Sequence, residues 1–281
     1  MIVAQLTDIH AAPDNDNLAR FARVLEWLES LQPDALVVTG DLVDDDWFAG
    51  YAAIASLLKG QRCPVFLLPG NADNHAMMRA SWESGAWRPG ALHFTAGVKG
   101  LRLIGIDTTL KGEAAGSIME HLAWLERQLA DDDAQPILLF LHHHVFPSGI
   151  PTMDKIMCRG SRELAALLTD YAGRTLAIAS GHVHRPIASH LAGVPAYICG
   201  SVCPANPAWF GAETVPPAHD PPSLILHRFD DGLLTSHSIC VSRLAIFFRL
   251  SLRYPSCRHG FITECYNHIK TTALINIFNI I

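Results

Sequence analysis

The sequence predicts an α/β protein built on a largely parallel sheet, and three observations carry that reading. Short apolar runs of strand length recur along the chain. Segments with apolar residues at helical spacing lie between them, the pattern of crossover connections. Most of the runs end in a turn that carries Asp, His or Asn, which is where an α/β sheet gathers its functional groups.

Residues 2–6 read as the first buried strand, ending at Thr7-Asp8-Ile9-His10, and a helix follows over residues 18–31. Its apolar positions Leu18, Phe21, Ala22, Leu25 and Leu28 fall on one face. Pro33-Asp34 stops it, and residues 35–38 form a second strand that ends at Thr39-Gly40-Asp41. A second helix is predicted over 47–58, then a strand over 64–68 that ends at Pro69-Gly70-Asn71-Ala72-Asp73. Another strand over 101–106 closes at Asp107, a helix covers 118–129, and a strand over 137–141 meets His142-His143-His144. After a helix at 160–171, the run 176–179 leads into Ser180-Gly181-His182-Val183-His184. The remaining pattern is short β segments at 187–191, 195–198, 224–229 and 233–239, with Asp230-Asp231-Gly232 as a hairpin turn. The proline-rich stretch 204–222 is expected to be a surface loop.

Composition narrows the class. A chain of 281 residues with 49% apolar and 17% charged residues buries a sizeable core and is not disordered. A net charge of −6 argues against a nucleic-acid polymer as partner. No run is long enough for a transmembrane segment, and no basic leader precedes Asp8. The seven cysteines are odd in number and lack Cys-x-x-Cys spacing, which fits reduced thiols and a cytoplasmic location.

Taken singly, Asp8-x-His10, Gly40-Asp41, Gly70-Asn71, His142 and His182-x-His184 are each ordinary turns. Together they place only carboxylate, imidazole and amide groups at strand ends, read as the same end of one sheet, and this points to a metal site. Such donors suit hard or borderline divalent cations, and no thiolate is offered. A carboxylate can bridge two cations and hold them ~3.5–4 Å apart, which suits a clamp on a phosphoryl group. Asn71 offers a neutral oxygen and limits the negative charge facing an anionic substrate.

In order and spacing these clusters resemble the calcineurin-like metallophosphoesterase family over residues 1–240, and within it the bacterial class III cyclic-nucleotide phosphodiesterases. The stretches Leu67-Leu68-Pro69-Gly70-Asn71 and 142–151 support the closer resemblance. It implies a four-layer αββα sandwich with two divalent metal ions, Mn or Fe foremost and Zn an alternative. Asp8, His10, Asp41 and His184 would hold one metal. Asp41 would bridge, and Asn71, His142 and His182 would complete the second. His143 is the alternative to His142 as ligand. The implied reaction is attack of an activated water on a small phosphodiester, such as 3′,5′-cAMP. Broader activity on 2′,3′-cyclic nucleotides, glycerophosphodiesters or aryl diesters is the alternative, and a metal-bound sensor or scaffold is the non-enzymatic one.

The family carries a histidine after its Asn ligand, where this chain has Ala72. Besides Asp41 and Asn71, the catalytic candidates are therefore Asp73, placed to orient an imidazole beside it, and His75 at the start of a helix. Residues 241–281 depart from the family pattern. From 240 onward the chain holds 5 Lys/Arg against 1 Asp/Glu, whereas residues 1–239 hold 16 against 26. A homo-oligomer formed through this extension is among the roles left open.

Overall fold

A computed structural model describes residues 1–82, 87, 90–131, 135–215 and 220–242. The extension beyond Ser242 lies outside the described residues. Its first two residues, Val241 and Ser242, belong to the compact unit Met1–Ser242.

One half of the molecule is β1 (Ile2–Leu6), α1 (Asn17–Glu29), β2 (Ala35–Thr39), α2 (Phe48–Leu58), β3 (Val65–Leu68) and α3 (His75–Ser81). The chain then forms β4 (Phe94–Val98), β5 (Leu101–Ile106), β6 (Gly116–Ser117), α4 (Leu122–Leu129), β7 (Ile137–Leu141), α5 (Pro151–Asp154) and β8 (Cys158–Arg159). It continues through α6 (Ser161–Asp170), β9 (Thr175–Ser180), β10 (Ile187–Leu191) and β11 (Val194–Ile198). The hairpin of β12 (Ser223–Asp230) and β13 (Leu233–Cys240) returns to the first half. Asp231 and Gly232 at its turn both have positive φ, as a two-residue type I′ connection requires.

The strands form two large sheets, not one. The first is five-stranded, ordered β13-β12-β1-β2-β3, and the second six-stranded, ordered β10-β11-β9-β7-β5-β4. Within each, the strands that lead to site residues run parallel. Val3, Val37 and Leu68 of the first sheet share one core with Leu103, Leu138, Phe140 and Ala179 of the second. The opposite faces bury Leu6, Leu36 and Val38 under α1 and α2, and Ile104, Leu139 and Ile178 under α4 and α6. On α1, the buried residues Phe21, Val24, Leu25 and Leu28 form the apolar stripe, each worth about 1.5–3 kcal/mol of burial. The layers are helix, sheet, sheet, helix, as the resemblance implies. Strands covered on both faces read as uninterrupted apolar runs, so a sequence pattern does not separate two stacked sheets from one.

Among the described residues no helix is long and apolar enough to cross a membrane.

Candidate metal centre

The loops after β1, β2 and β3 meet those after β7 and β9, so both sheets supply the site. The loops are laced together by their backbones. Asp8 N–H donates to Gly40 O, and those of Ile9 and His10 both donate to Asp41 O. Gly181 N–H donates to His142 O across the second sheet. The two sheets are joined by the Asp8 carboxylate, which accepts from His182 N–H at 3.0 Å.

Asp8, His10, Asp41, His182 and His184 all have φ between 47° and 72°. Left-handed backbone costs a non-glycine residue ~1–2 kcal/mol, and such conformations persist where surrounding contacts enforce them. Close approach also demands glycine: a Cβ on Gly70 would lie 2.2 Å from Asp41 Oδ1, and one on Gly181 would lie 2.0 Å from Thr7 Oγ1.

Two groups of donor atoms converge. In one, His10 Nε2 is 3.1 Å from His184 Nε2 and 3.3 Å from Asp41 Oδ2, while His184 Nε2 is 3.3 Å from Asp8 Oδ1. In the other, His142 Nε2 is 3.2 Å from His182 Nδ1 and 3.3 Å from both Asn71 Oδ1 and Asp41 Oδ2. Asp41 Oδ2 is therefore common to both. Ligands about 2.0–2.2 Å from one cation stand about 3.0–3.5 Å from each other, which is the spacing found here. All seven residues read from the sequence as metal ligands take part in these contacts.

Three of the four imidazoles have the ring nitrogen behind the site partnered, whereas Nε2 of His182 is buried with no hydrogen-bond partner among the described residues. His142 Nδ1 donates to Thr39 O at 2.7 Å, which fixes the tautomer with its lone pair on Nε2. His10 Nδ1 is 2.6 Å from Asp44 Oδ1, and His184 Nδ1 is 3.4 Å from Cys203 Sγ. Asp41 Oδ1 accepts from Ala72 N–H at 2.8 Å, leaving Oδ2 to face the imidazoles.

Charge balance points the same way. Burial opposes ionisation of every group in this cluster, yet Asp41 and Asp44 push His10 up to about 12. Against the same burial, Asp41 and Asp8, with the Thr39 carbonyl, raise His142 to about 9, and Asp8 raises His184 to about 10. The imidazoles hold Asp41 well below the usual carboxylate range. The carboxylates thus demand positive charge among them, which protons supply when cations do not. The converging lone pairs, the shared carboxylate oxygen and this demand for cations fit two divalent metals.

Several expectations need adjustment. His143 is fully buried, with Nδ1 2.8 Å from Thr108 Oγ1, but its ligand atom also lies within 4.8 Å of those of His142 and His182. His142 is the imidazole that meets Asp41 and Asn71. Asp73 does not orient an imidazole: its oxygens accept from Leu42 N–H, Gly70 N–H and the Tyr51 hydroxyl at 2.9–3.0 Å. It pins the β2 and β3 loops together. His75 lies beside Asn71 in a neighbouring cleft. A thiol does stand near the donors, since Cys203, His10 and His184 place ligand atoms within 4.8 Å of one another. Sequence reasoning missed Asp44 and Cys203. Asp44 had a faint signal as a carboxylate three residues past Asp41, and Cys203 had none.

A family model, calcineurin-like phosphoesterase, matches residues 1–186. The chain belongs to the calcineurin-like phosphoesterase family. It is 30% identical to the glycerophosphodiester phosphodiesterase GpdQ of Enterobacter lignolyticus, over 81% of this chain and 87% of that one. It is also 30% identical to the 3′,5′-cyclic adenosine monophosphate phosphodiesterase CpdA of Haemophilus influenzae, over 71% and 75% respectively. A probable GpdQ of Arcobacter nitrofigilis is 35% identical over 55% of this chain, and the match spans 58% of that relative. The fold is shared with a dimetal phosphatase from Danio rerio, with a TM-score of 0.65 and 13% identity over 86% of this chain and 99% of that one.

Proposed function

We propose that this family member hydrolyses small phosphodiesters at a dinuclear centre, with cyclic nucleotides such as 3′,5′-cAMP as the leading substrate class. The observation that carries the reading is the placement of Asp41 Oδ2 at 3.3 Å from both His10 Nε2 and His142 Nε2. Asp8, His10, Asp41 and His184 would hold one cation, and Asp41, Asn71, His142 and His182 the other. The mixed nitrogen and oxygen donors favour Mn or Fe, with Zn an alternative.

Bound there, two divalent cations would activate water and neutralise charge on the phosphoryl group. The chain's own residues keep His10 and His142 in one tautomer, orient the shared carboxylate through Ala72 N–H, and supply a neutral amide at Asn71 where an anionic ester enters. Hydrolysis of glycerophosphodiesters is the second reading, supported by the longer alignment with the Enterobacter relative. The described cysteines, Cys63, Cys158, Cys199, Cys203 and Cys240, are free thiols, which supports a cytoplasmic assignment.

The test is turnover by Mn-loaded protein of 3′,5′-cAMP, 2′,3′-cAMP, glycerophosphoethanolamine and bis(p-nitrophenyl) phosphate, with p-nitrophenyl phosphate as the monoester control. Metal-dependent turnover of diesters above the monoester is expected. Protein that carries two metals per chain and hydrolyses none of the diesters would overturn the reading in favour of a metal-bound scaffold.

A further inference from the structure

A cleft of about 440 Å³ adjoins the cluster, lined by Asn71, His75, Thr109 and Lys111 among others. Asn71 belongs to both spaces, because its Oδ1 lies 3.3 Å from His142 Nε2. His75 is half-buried at the first turn of α3, and its backbone is fixed by Asn74, whose side chain accepts from Ala76 and Met77 N–H.

The hydrogen bonds behind His75 fix its tautomer. Thr109 Oγ1 donates to Asp107 Oδ1 at 2.7 Å, and Asp107 is buried and further held by Thr109 N–H and Leu92 N–H. A hydroxyl has one proton, so toward His75 Nε2, 2.9 Å away, Thr109 Oγ1 can only accept. Nε2 therefore carries hydrogen, and the atom that gains or loses a proton is Nδ1. No hydrogen bond to Nδ1 occurs among the described residues. Asp107 Oδ2 lies 3.5 Å from Nε2.

We propose that Asp107 and Thr109 position His75 as the proton donor to the leaving oxygen of a diester bound in this cleft, the task that Ala72 cannot perform. This rests on the dinuclear hydrolysis reading. As the attacking water oxygen bonds to phosphorus and releases a proton to solvent, the bond from phosphorus to the leaving oxygen breaks. The freed electron pair takes the Nδ1 proton of the His75 imidazolium. An acyclic diester gives a phosphomonoester and an alcohol, a cyclic one gives a single phosphomonoester that carries the freed hydroxyl, and solvent reprotonates Nδ1. The charged groups facing this histidine are Asp107 behind it and, around the cleft, Asp73 and Lys111.

The relay matters for poor leaving groups, so the substrates it serves are alkyl and cyclic diesters. The test compares Mn-loaded full-length native protein, His75→Ala, Thr109→Val and Thr109→Ser on an alkyl or cyclic diester and on bis(p-nitrophenyl) phosphate. His75→Ala should lower kcat on the alkyl or cyclic ester by ~10²-fold or more, lower it less than ~10-fold on the aryl ester, and abolish the fall in rate at high pH. Thr109→Val should act in the same direction, and Thr109→Ser should restore the native profile. Independently of turnover, 15N NMR of Zn-loaded protein should show the neutral His75 ring as the Nε2–H tautomer, and Thr109→Val should lose that preference. Equal losses on both ester types with metal content intact, no loss, or the opposite tautomer would each overturn the relay. So would native protein that turns over the aryl ester but no alkyl or cyclic one, while leaving the dinuclear reading in place. Absence of all diester turnover in metal-loaded native protein would strike the dinuclear reading instead.

Discussion

Nδ1 of His10 lies 2.6 Å from Oδ1 of Asp44, a residue at no strand end and in no recognised motif. The contact aims His10 Nε2 at Asp41 and His184. Carboxylates behind ligating imidazoles commonly contribute ~10–100-fold in metal affinity. Asp44→Ala should weaken Mn binding by that factor while turnover recovers at saturating Mn. A metal titration of activity checks this, and an unchanged midpoint would remove Asp44 from the site.

Metal binding should release protons. Without cations His10, His142 and His184 are held protonated to about 12, 9 and 10. Each must lose a proton before Nε2 can ligate, so affinity should rise with pH through neutrality and keep rising at least to about 9, the lowest of the three values. Calorimetry in buffers of different ionisation enthalpy should show net proton release on loading. Heats that do not depend on the buffer would count against the charge balance described.

Ala72→His should raise turnover of alkyl and cyclic diesters more than that of aryl ones, by about 10–10²-fold at most. Asp73 gives the new imidazole no support, because Leu42, Gly70 and Tyr51 already occupy its oxygens. The gain should be larger in the His75→Ala background, where no other donor serves the leaving oxygen. Kinetics of the two single variants and the double variant on both ester types check this.

Acid lability is expected from His227, which is not one of the converging donors. Burial drives its imidazole down to about 3, and it is held neutral between Gln5 Oε1 and Ser236 Oγ. The unfolded ring takes a proton near ~6.5, so stability is present above that pH and is lost as pH falls toward the folded value. Relative to His227→Gln, native protein should lose roughly 1–2 kcal/mol between pH 7 and pH 5. Urea unfolding of both at the two pH values tests it, and parallel losses would contradict the assignment.

The donor set was legible because the chemistry sits in the chain directly after apolar runs: Asp8 after Leu6, Asp41 after Thr39, His142 after Leu141. Residues that act through tertiary contacts were not. Cys203 reaches His184 across 19 positions, and Thr39 meets His142 through a carbonyl that any residue would supply. The misjudged role of Asp73 has the same origin, since its partners include a hydroxyl from α2. Strand β4 went unread because Thr95-Ala96-Gly97 carries little β signal and much of it is exposed at a sheet edge. In the segment read as one helix, a 3₁₀ turn at Met119–His121 precedes α4.

The most direct measurement is anomalous diffraction from crystals of the native protein soaked in Mn²⁺. Two peaks ~3.5–4 Å apart are expected, one among Asp8, His10 and His184, the other among Asn71, His142 and His182, with Asp41 Oδ2 between them. A single peak, or two peaks with Asp41 bound to neither or to one alone, would contradict the bridged dinuclear centre.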